Sequence, residues 1–263
     1  MRDYIADHHI NAISLSTQIG MALINQYPEM ELRYCVIAGE KMLPCAKTGI
    51  RLINGYGPTE FTDLSSYHVV DQEKDTGNIP IGRPVANTWS FICDGYGNLL
   101  PQGMPGELCL AGPQMGEGYW RKEKETREKF VPCTFLKDKA ALSGQNLDAG
   151  DREGDFPSEL KMYRTGDLAR YNEDGELEFL GRIDNQVKLR GYRIELGEIE
   201  ACASVYPGLA QVAAEVCNDQ LVLYYTESSQ AEEAAGTSRE RTGNGPVDAH
   251  ALIDQEDLRV YLA

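Results

Sequence analysis

Three short stretches carry the residue types that can handle a phosphorylated nucleoside. The first is Asn54-Gly-Tyr-Gly-Pro-Thr-Glu60, where two glycines let backbone approach a ligand closely. Tyr56 offers a flat face for a base, Thr59 a hydroxyl for a phosphate oxygen, and Glu60 a hard oxygen ligand for Mg²⁺. Taken alone, the heptad reads equally well as a Gly-Pro turn with incidental polar residues. The second stretch is Tyr163-Arg-Thr-Gly-Asp-Leu168. Asp167 follows a glycine at the end of a strand, where a carboxylate can accept two hydrogen bonds from a ribose diol or simply cap a turn. The third runs from Gly181 to Glu200 and places Arg182, Lys188, Arg190 and Arg193 ahead of an acidic helix start. A short charge run of this kind is otherwise the solvated face of a strand.

These residues need a scaffold. Ile13, Ile19, Leu23 and Ile24 recur at helical spacing, and the β-forming run Leu32 to Ala38 ends at Gly39, so a helix followed by a buried strand is expected. Ile50 to Ile53 is a second short strand ending at Asn54-Gly55. Residues 1–80 therefore read as the α/β remnant of a large parallel-sheet lobe, whose ligands sit at the carboxyl ends of strands. Residues 81–183 read as a small, mainly antiparallel sheet or barrel. Its strands are Trp89 to Cys93, Glu107 to Ala111, Met162 to Tyr171 and Glu176 to Leu180, with turns at Asp94 to Asn98 and Asn172 to Gly175. Residues 184–263 begin a small α+β lobe. It has a strand at Gln186 to Leu189, a helix with Leu196, Ile199, Cys202 and Tyr206 on one face, and strands at Gln211 to Val216 and Leu221 to Tyr225. Two acidic, turn-rich segments, Leu142 to Glu159 and Glu227 to Asp248, show no period and read as loops.

Composition narrows the function classes. With 25 basic and 41 acidic residues, the 263-residue chain has a net charge of -16, which opposes binding to nucleic acid. A polyphosphate ligand would need a metal ion and locally placed cations. No apolar run is long enough to cross a membrane, and the first ten residues carry charge where a signal peptide is apolar. Seven scattered cysteines without a C-x-x-C pair suit a reducing compartment, so a cytoplasmic location is expected.

In chain order, with Gly106-Glu-Leu-Cys-Leu-Ala-Gly-Pro-Gln-Met-Gly-Glu-Gly-Tyr-Trp120 between them, these stretches resemble the core motifs of the adenylate-forming, AMP-binding enzymes. Asp184-Asn-Gln-Val-Lys188 and Arg190-Gly-Tyr-Arg193 are most similar to the adenylation domains of nonribosomal peptide synthetases. The resemblance runs from the first helix to about Tyr225. It implies a ligase that uses ATP and Mg²⁺ to form an aminoacyl-adenylate, releasing the acyl group to a phosphopantetheine thiol on a peptidyl carrier domain beside other synthetase domains. At matching positions it implies that Tyr56 packs on adenine with Asn54 near its amino group, and that Gly39 and Gly57 lie along the nucleotide. It implies further that Thr59 contacts phosphate, Glu60 holds Mg²⁺, Asp167 binds the ribose hydroxyls, and Arg182 reaches ribose or phosphate. Phe179 stands where relatives often carry a tyrosine. Asp184 matches a hinge between two arrangements of the small lobe, and Lys188 and Gly191 belong to the second arrangement. The amino-acid side-chain pocket maps to Ser14, Val36, Ala38, Gly55, Asp63 and Leu64, with Ser14 and Asp63 favouring a polar substrate.

The sequence departs from the family in lacking three parts. These are a phosphate loop with its lysine, the aspartate motif for an amino group, and a closing lysine motif. The chain thus reads as the C-terminal portion of the domain, cut at both ends and inactive in adenylation on its own. An acyl-CoA or aryl-CoA synthetase fragment and a non-catalytic nucleotide-binding module are the alternatives.

Overall fold

The computed structural model of the chain describes residues 1–135, 160–184, 186–189, 192–206, 208–217 and 220–227. The expected loop at 142–159, nearly all of that at 227–248, and the positions of Arg190 and Gly191 lie outside the described residues. The chain forms two compact units, Met1–Asp184 and the residues from Asn185 onward.

The first unit opens with helix α1 (Arg2–Asp7), strand β1 (Ala12–Ser16) and helix α2 (Thr17–Gln26), then strands β2 (Tyr34–Ala38), β3 (Arg51–Tyr56), β4 (Ser66–Val69) and β5 (Arg83–Pro84). These strands form one sheet in the order β1-β2-β3-β4-β5, parallel across β1, β2 and β3 and antiparallel beyond. The expected parallel sheet is therefore present, but its antiparallel edge extends past residue 80. The single opening helix is corrected. Ile13 and Ser14 lie in β1, a strand of only five residues whose alternating Ile13 and Leu15 fall in step with the helical residues that follow. Ile19, counted on the buried face, is exposed, whereas Leu23 and Ile24 are buried. α2 packs closely on the sheet because Gly20 lacks a side chain; a methyl group there would lie 3.0 Å from Ile37.

The chain then forms β6 (Trp89–Cys93), β7 (Gly106–Ala111), helix α3 (Glu123–Lys129), β8 (Phe130–Pro132), β9 (Lys161–Tyr171) and β10 (Leu177–Arg182). Their sheet is wholly antiparallel and runs β10-β9-β7-β6, with β8 also on β9. Among the described strands this path is open, so the barrel alternative gives way to a sheet. The turn at Asn172 is made by its side-chain oxygen, which accepts the backbone N–H groups of Asp174 and Glu176 at 3.1 and 2.8 Å. Asp94 does the same for Tyr96 and Asn98. Both turns thus arise from short polar side chains that satisfy local backbone donors.

The second unit contains β11 (Gln186–Leu189) paired with β12 (Tyr192–Glu195), helix α4 (Leu196–Ser204), and the hairpin β13 (Leu209–Cys217) and β14 (Gln220–Glu227). β12 was not foreseen, because its charged residues masked its alternation. α4 buries Leu196 and Ala203. Cys202 is exposed, and Tyr206 lies beyond the helix end, which corrects the expected apolar face.

The turn between β3 and β4 is held by close backbone packing. A methyl group at Gly57 would lie 1.8 Å from the carbonyl oxygen of Asp63 and 3.0 Å from the Ser65 nitrogen. Backbone atoms cannot swing aside as a long side chain can. Gly57→Ala should therefore destabilise the chain by about 1–3 kcal/mol in urea unfolding. Gly77→Ala, where nothing lies within 4 Å, should stay within about 0.5 kcal/mol. Similar midpoints for the two variants would contradict this packing.

Candidate functional site

The parallel strands set out one face near their carboxyl ends. Ser14 is in register with Val36, and Ala38 with Gly55. Because side chains alternate along a strand, Ser14, Val36, Ala38 and Gly55 share a face. Cys35 and Ile37 point the other way into the core. Gly55 is the floor of a close contact: a methyl group there would meet Leu64 at 2.7 Å, Ala38 at 3.4 Å and Val36 at 3.5 Å. The structure thus brings together Ser14, Val36, Ala38, Gly55 and Leu64. Ser14 reaches this face from a strand, not from the helix expected. Asp63, next to Leu64 in the chain, is exposed. Gly39 follows β2 with φ +108, a conformation that favours glycine.

Across the turn, Thr59, Glu60 and Phe61 form a single 3₁₀ turn. Phe61 is fully buried and anchors it, Thr59 is exposed and Glu60 half-buried. Glu60 accepts a hydrogen bond from the Tyr119 hydroxyl at 2.6 Å, and its backbone oxygen accepts the Gly116 N–H at 2.8 Å.

The residues with the densest polar connections surround Asp167, a buried carboxylate on β9. The Tyr56 hydroxyl donates to its Oδ2 across 111 residues of sequence. Arg182 Nη1 donates to Oδ1 at 2.8 Å and to the Thr165 carbonyl at 3.0 Å. The same guanidinium holds Asp184 through Nε at 2.8 Å and Nη2 at 2.6 Å. Burial, reinforced by the Asp167 charge, pushes the Tyr56 phenol well above its usual range, so it remains a donor. Burial works against the Arg182 charge, but Asp184 and Asp167 outweigh it and raise the guanidinium above its ordinary value. Gly166 makes the geometry possible. Its φ is +74, and a methyl group there would lie 2.7 Å from both Arg182 and Asp184. Phe179 on β10 packs with Tyr56 against the core of this unit.

Asn54 lies on the same strand β3 as Tyr56. It is buried, and its side-chain amide donates to the Pro80 carbonyl at 2.7 Å. Lys188 lies on β11 of the second unit. Two site residues carried no role in the sequence reading. Glu107 accepts both Arg164 Nε and Nη2, at 2.8 and 2.5 Å, and the Gly166 N–H at 3.0 Å, so it supports the turn that presents Asp167. An acid in the otherwise apolar strand β7 was the available signal, since a buried charge requires partners. Tyr119 was visible only as an aromatic in a glycine-rich stretch.

A single carboxylate fits a magnesium site whose other ligands come from phosphate and water. Among the described residues, no three His, Cys, Asp or Glu side chains gather as a metal cage, so Glu60 would hold such an ion together with a ligand. Also among the described residues, no helix is long and apolar enough to cross a membrane.

Residues 1–120 match the AMP-binding enzyme family. Tyrocidine synthase 3 of Brevibacillus parabrevis is 37% identical over 89% of this chain, and a plipastatin synthase of Bacillus subtilis is 35% identical over 96%. The chain spans 4% and 9% of those two proteins. PA1221, described as a nonribosomal peptide synthetase protein containing adenylation and PCP domains, is 29% identical; the match covers 89% of this chain and 46% of that one at a TM-score of 0.68. IdnL1, at 22% identity, shares the fold over 99% of this chain and 48% of its own at a TM-score of 0.73. The motifs that converge on Asp167, together with these similarities, place the chain in the AMP-binding enzyme family, as an adenylation domain of the nonribosomal peptide synthetase type.

Proposed function

We propose that the chain supplies the nucleoside-binding and side-chain-binding surfaces of a ligase that activates an amino acid with ATP. The observation that carries this reading is the meeting of three separate sequence motifs on one carboxylate: Tyr56, Asp167 and Arg182. A carboxylate has about four acceptor positions. Tyr56 and Arg182 hold the Asp167 group in a fixed plane, from which it accepts the ribose hydroxyls as the phenol gives way. The Tyr56 ring forms the apolar wall for adenine, and Phe179, packed against the same core, extends it. Phe179 stacks without adding a hydroxyl contact. Thr59 is exposed next to Glu60, where phosphate oxygens approach, and Gly39, with nothing within 4 Å of its side-chain position, leaves room for them. Glu60 would hold Mg²⁺ there, and the ion would supply neutralisation of the phosphate charge.

In the first step an oxygen of the substrate carboxylate bonds to the α-phosphorus of ATP, and the bond from that phosphorus to the bridging oxygen breaks. Pyrophosphate leaves with the electron pair, giving an acyl-adenylate. In the second step a phosphopantetheine thiol, having lost its proton, bonds to the acyl carbon and AMP departs. The protein's part is to position the reactants and stabilise developing charge. Ser14, Val36, Ala38, Gly55 and Leu64 receive the amino-acid side chain, and the exposed Asp63 lies at the edge of that group. The unit boundary after Asp184 supports a hinge there, with Lys188 and Gly191 serving the thiol-transfer arrangement. The adenylation and PCP domains of PA1221 support a peptidyl carrier partner, alongside neighbouring synthetase domains.

Calorimetry on the 263-residue chain with ATP and Mg²⁺ tests the nucleoside assignment. Asp167→Asn should weaken binding at least about tenfold, the worth of a charged hydrogen bond, while Tyr56→Phe, which keeps the ring, should stay within about threefold. Unchanged binding in Asp167→Asn would overturn the assignment.

In a complete synthetase carrying these residues, Ala38→Leu should lower kcat/KM for the preferred amino acid in pyrophosphate exchange by about ten- to a hundredfold. The KM for ATP should not move. Equal losses for all amino acids would count against the pocket, and exchange driven by fatty or aryl acids alone would favour an acyl-CoA synthetase.

A further inference from the structure

The stretch at residues 112–119 crosses the 3₁₀ turn that bears Glu60 and is fastened to it by backbone and side chain alike. Gly116 N–H donates to the Glu60 carbonyl at 2.8 Å, and the Thr62 hydroxyl donates to the Gln114 carbonyl at 2.8 Å. At the end of the strap the Tyr119 hydroxyl donates to Glu60 Oε1 at 2.6 Å. Tyr119 is itself held from two sides. Its backbone N–H donates to the Thr126 hydroxyl on α3 at 2.9 Å. Its ring meets Phe130 edge-on, 5.6 Å between centroids. Gly118, with φ +144, lets the strap pass Thr126, because a methyl group there would lie 2.4 Å from that side chain. Behind Tyr119, the fully buried Tyr163 places its hydroxyl 3.4 Å from the Tyr119 hydroxyl and packs on the same Phe130.

We propose that Tyr119, backed by Tyr163, is a positioning residue that fixes the Glu60 carboxylate for a divalent cation bound with the nucleotide. The proposal rests on the reading of Glu60 as the magnesium ligand.

Three physical features support it. A glutamate loses rotamer freedom when it is fixed, and here the strap has fixed it before any ligand arrives. The donor is a neutral phenol, which orients the carboxylate without a positive charge that would repel a cation; a lysine or arginine in its place would compete. Finally, one phenol bond on Oε1 is compatible with a cation on the same group, because a carboxylate offers about four acceptor positions.

Manganese paramagnetic resonance on the 263-residue chain with saturating ATP reads the cation directly, in wild type, Tyr119→Phe, Tyr163→Phe and Glu60→Gln. Tyr119→Phe keeps the ring against Phe130 and removes only the donor. The half-saturating Mn²⁺ concentration should rise about ten- to a hundredfold, the usual effect of losing a partner that orients a metal ligand. Tyr163→Phe should give a smaller rise in the same direction. If Tyr119→Phe titrates as wild type while Glu60→Gln is weakened, the positioning proposal is overturned and the reading of Glu60 stands. If Glu60→Gln also titrates as wild type, the reading of Glu60 falls and takes the proposal with it.

Discussion

A buried carboxylate must be paired, and the first unit is organised around one that is. Asp167 lies inside the protein with a phenol on one oxygen and a guanidinium on the other. Desolvating an ion costs several kcal/mol unless partners with good geometry compensate, so each element that touches Asp167 is constrained by it. Tyr56 must close β3 at the right height, Gly166 must adopt a positive φ, and Arg182 must end β10 within reach. Glu107 extends the same logic one layer deeper. Its pairing with Arg164 and the Gly166 N–H steadies the irregularity in the β7 and β9 pairing from which Asp167 is presented. The site is preorganised because its charges require each other before any nucleotide is present.

Strand register does the corresponding work for the side-chain surface. Parallel pairing of β1, β2 and β3 places Ser14 beside Val36 and Ala38 beside Gly55, and the turn packed on Gly57 brings Leu64 over Gly55. The turn that bears Glu60 is therefore also the one that places Leu64 over Gly55. Close backbone contact at Gly57 holds that turn against the end of β3, and this is why the position requires a glycine.

Much of this was legible in the sequence. β6 was read to the residue, β7 and β9 to within one, because apolar runs bounded by Asx-type turns leave little choice. Asp167 and Tyr56 could be paired in advance because a nucleoside needs a base platform and a ribose acceptor together. The misreadings have physical causes. β1 is too short for its period of two to stand out from the helix beside it, β12 is too charged to look like a strand, and Cys202 looks apolar in composition yet lies on the open side of α4. Tyr119 was beyond reach for a different reason: its role depends on a partner 59 residues away, and spacing along the chain carries no trace of that contact.

The central claim is that Asp167 is a ribose acceptor and not merely the middle of an ion-pair network. Comparing ATP with 2′,3′-dideoxy-ATP by calorimetry tests this, because the two ligands differ only in the hydroxyls that the carboxylate would receive. The account predicts that the dideoxy nucleotide binds the wild-type chain at least about tenfold more weakly, and that the difference disappears in Asp167→Asn. Equal affinity of the wild-type chain for both nucleotides would contradict it.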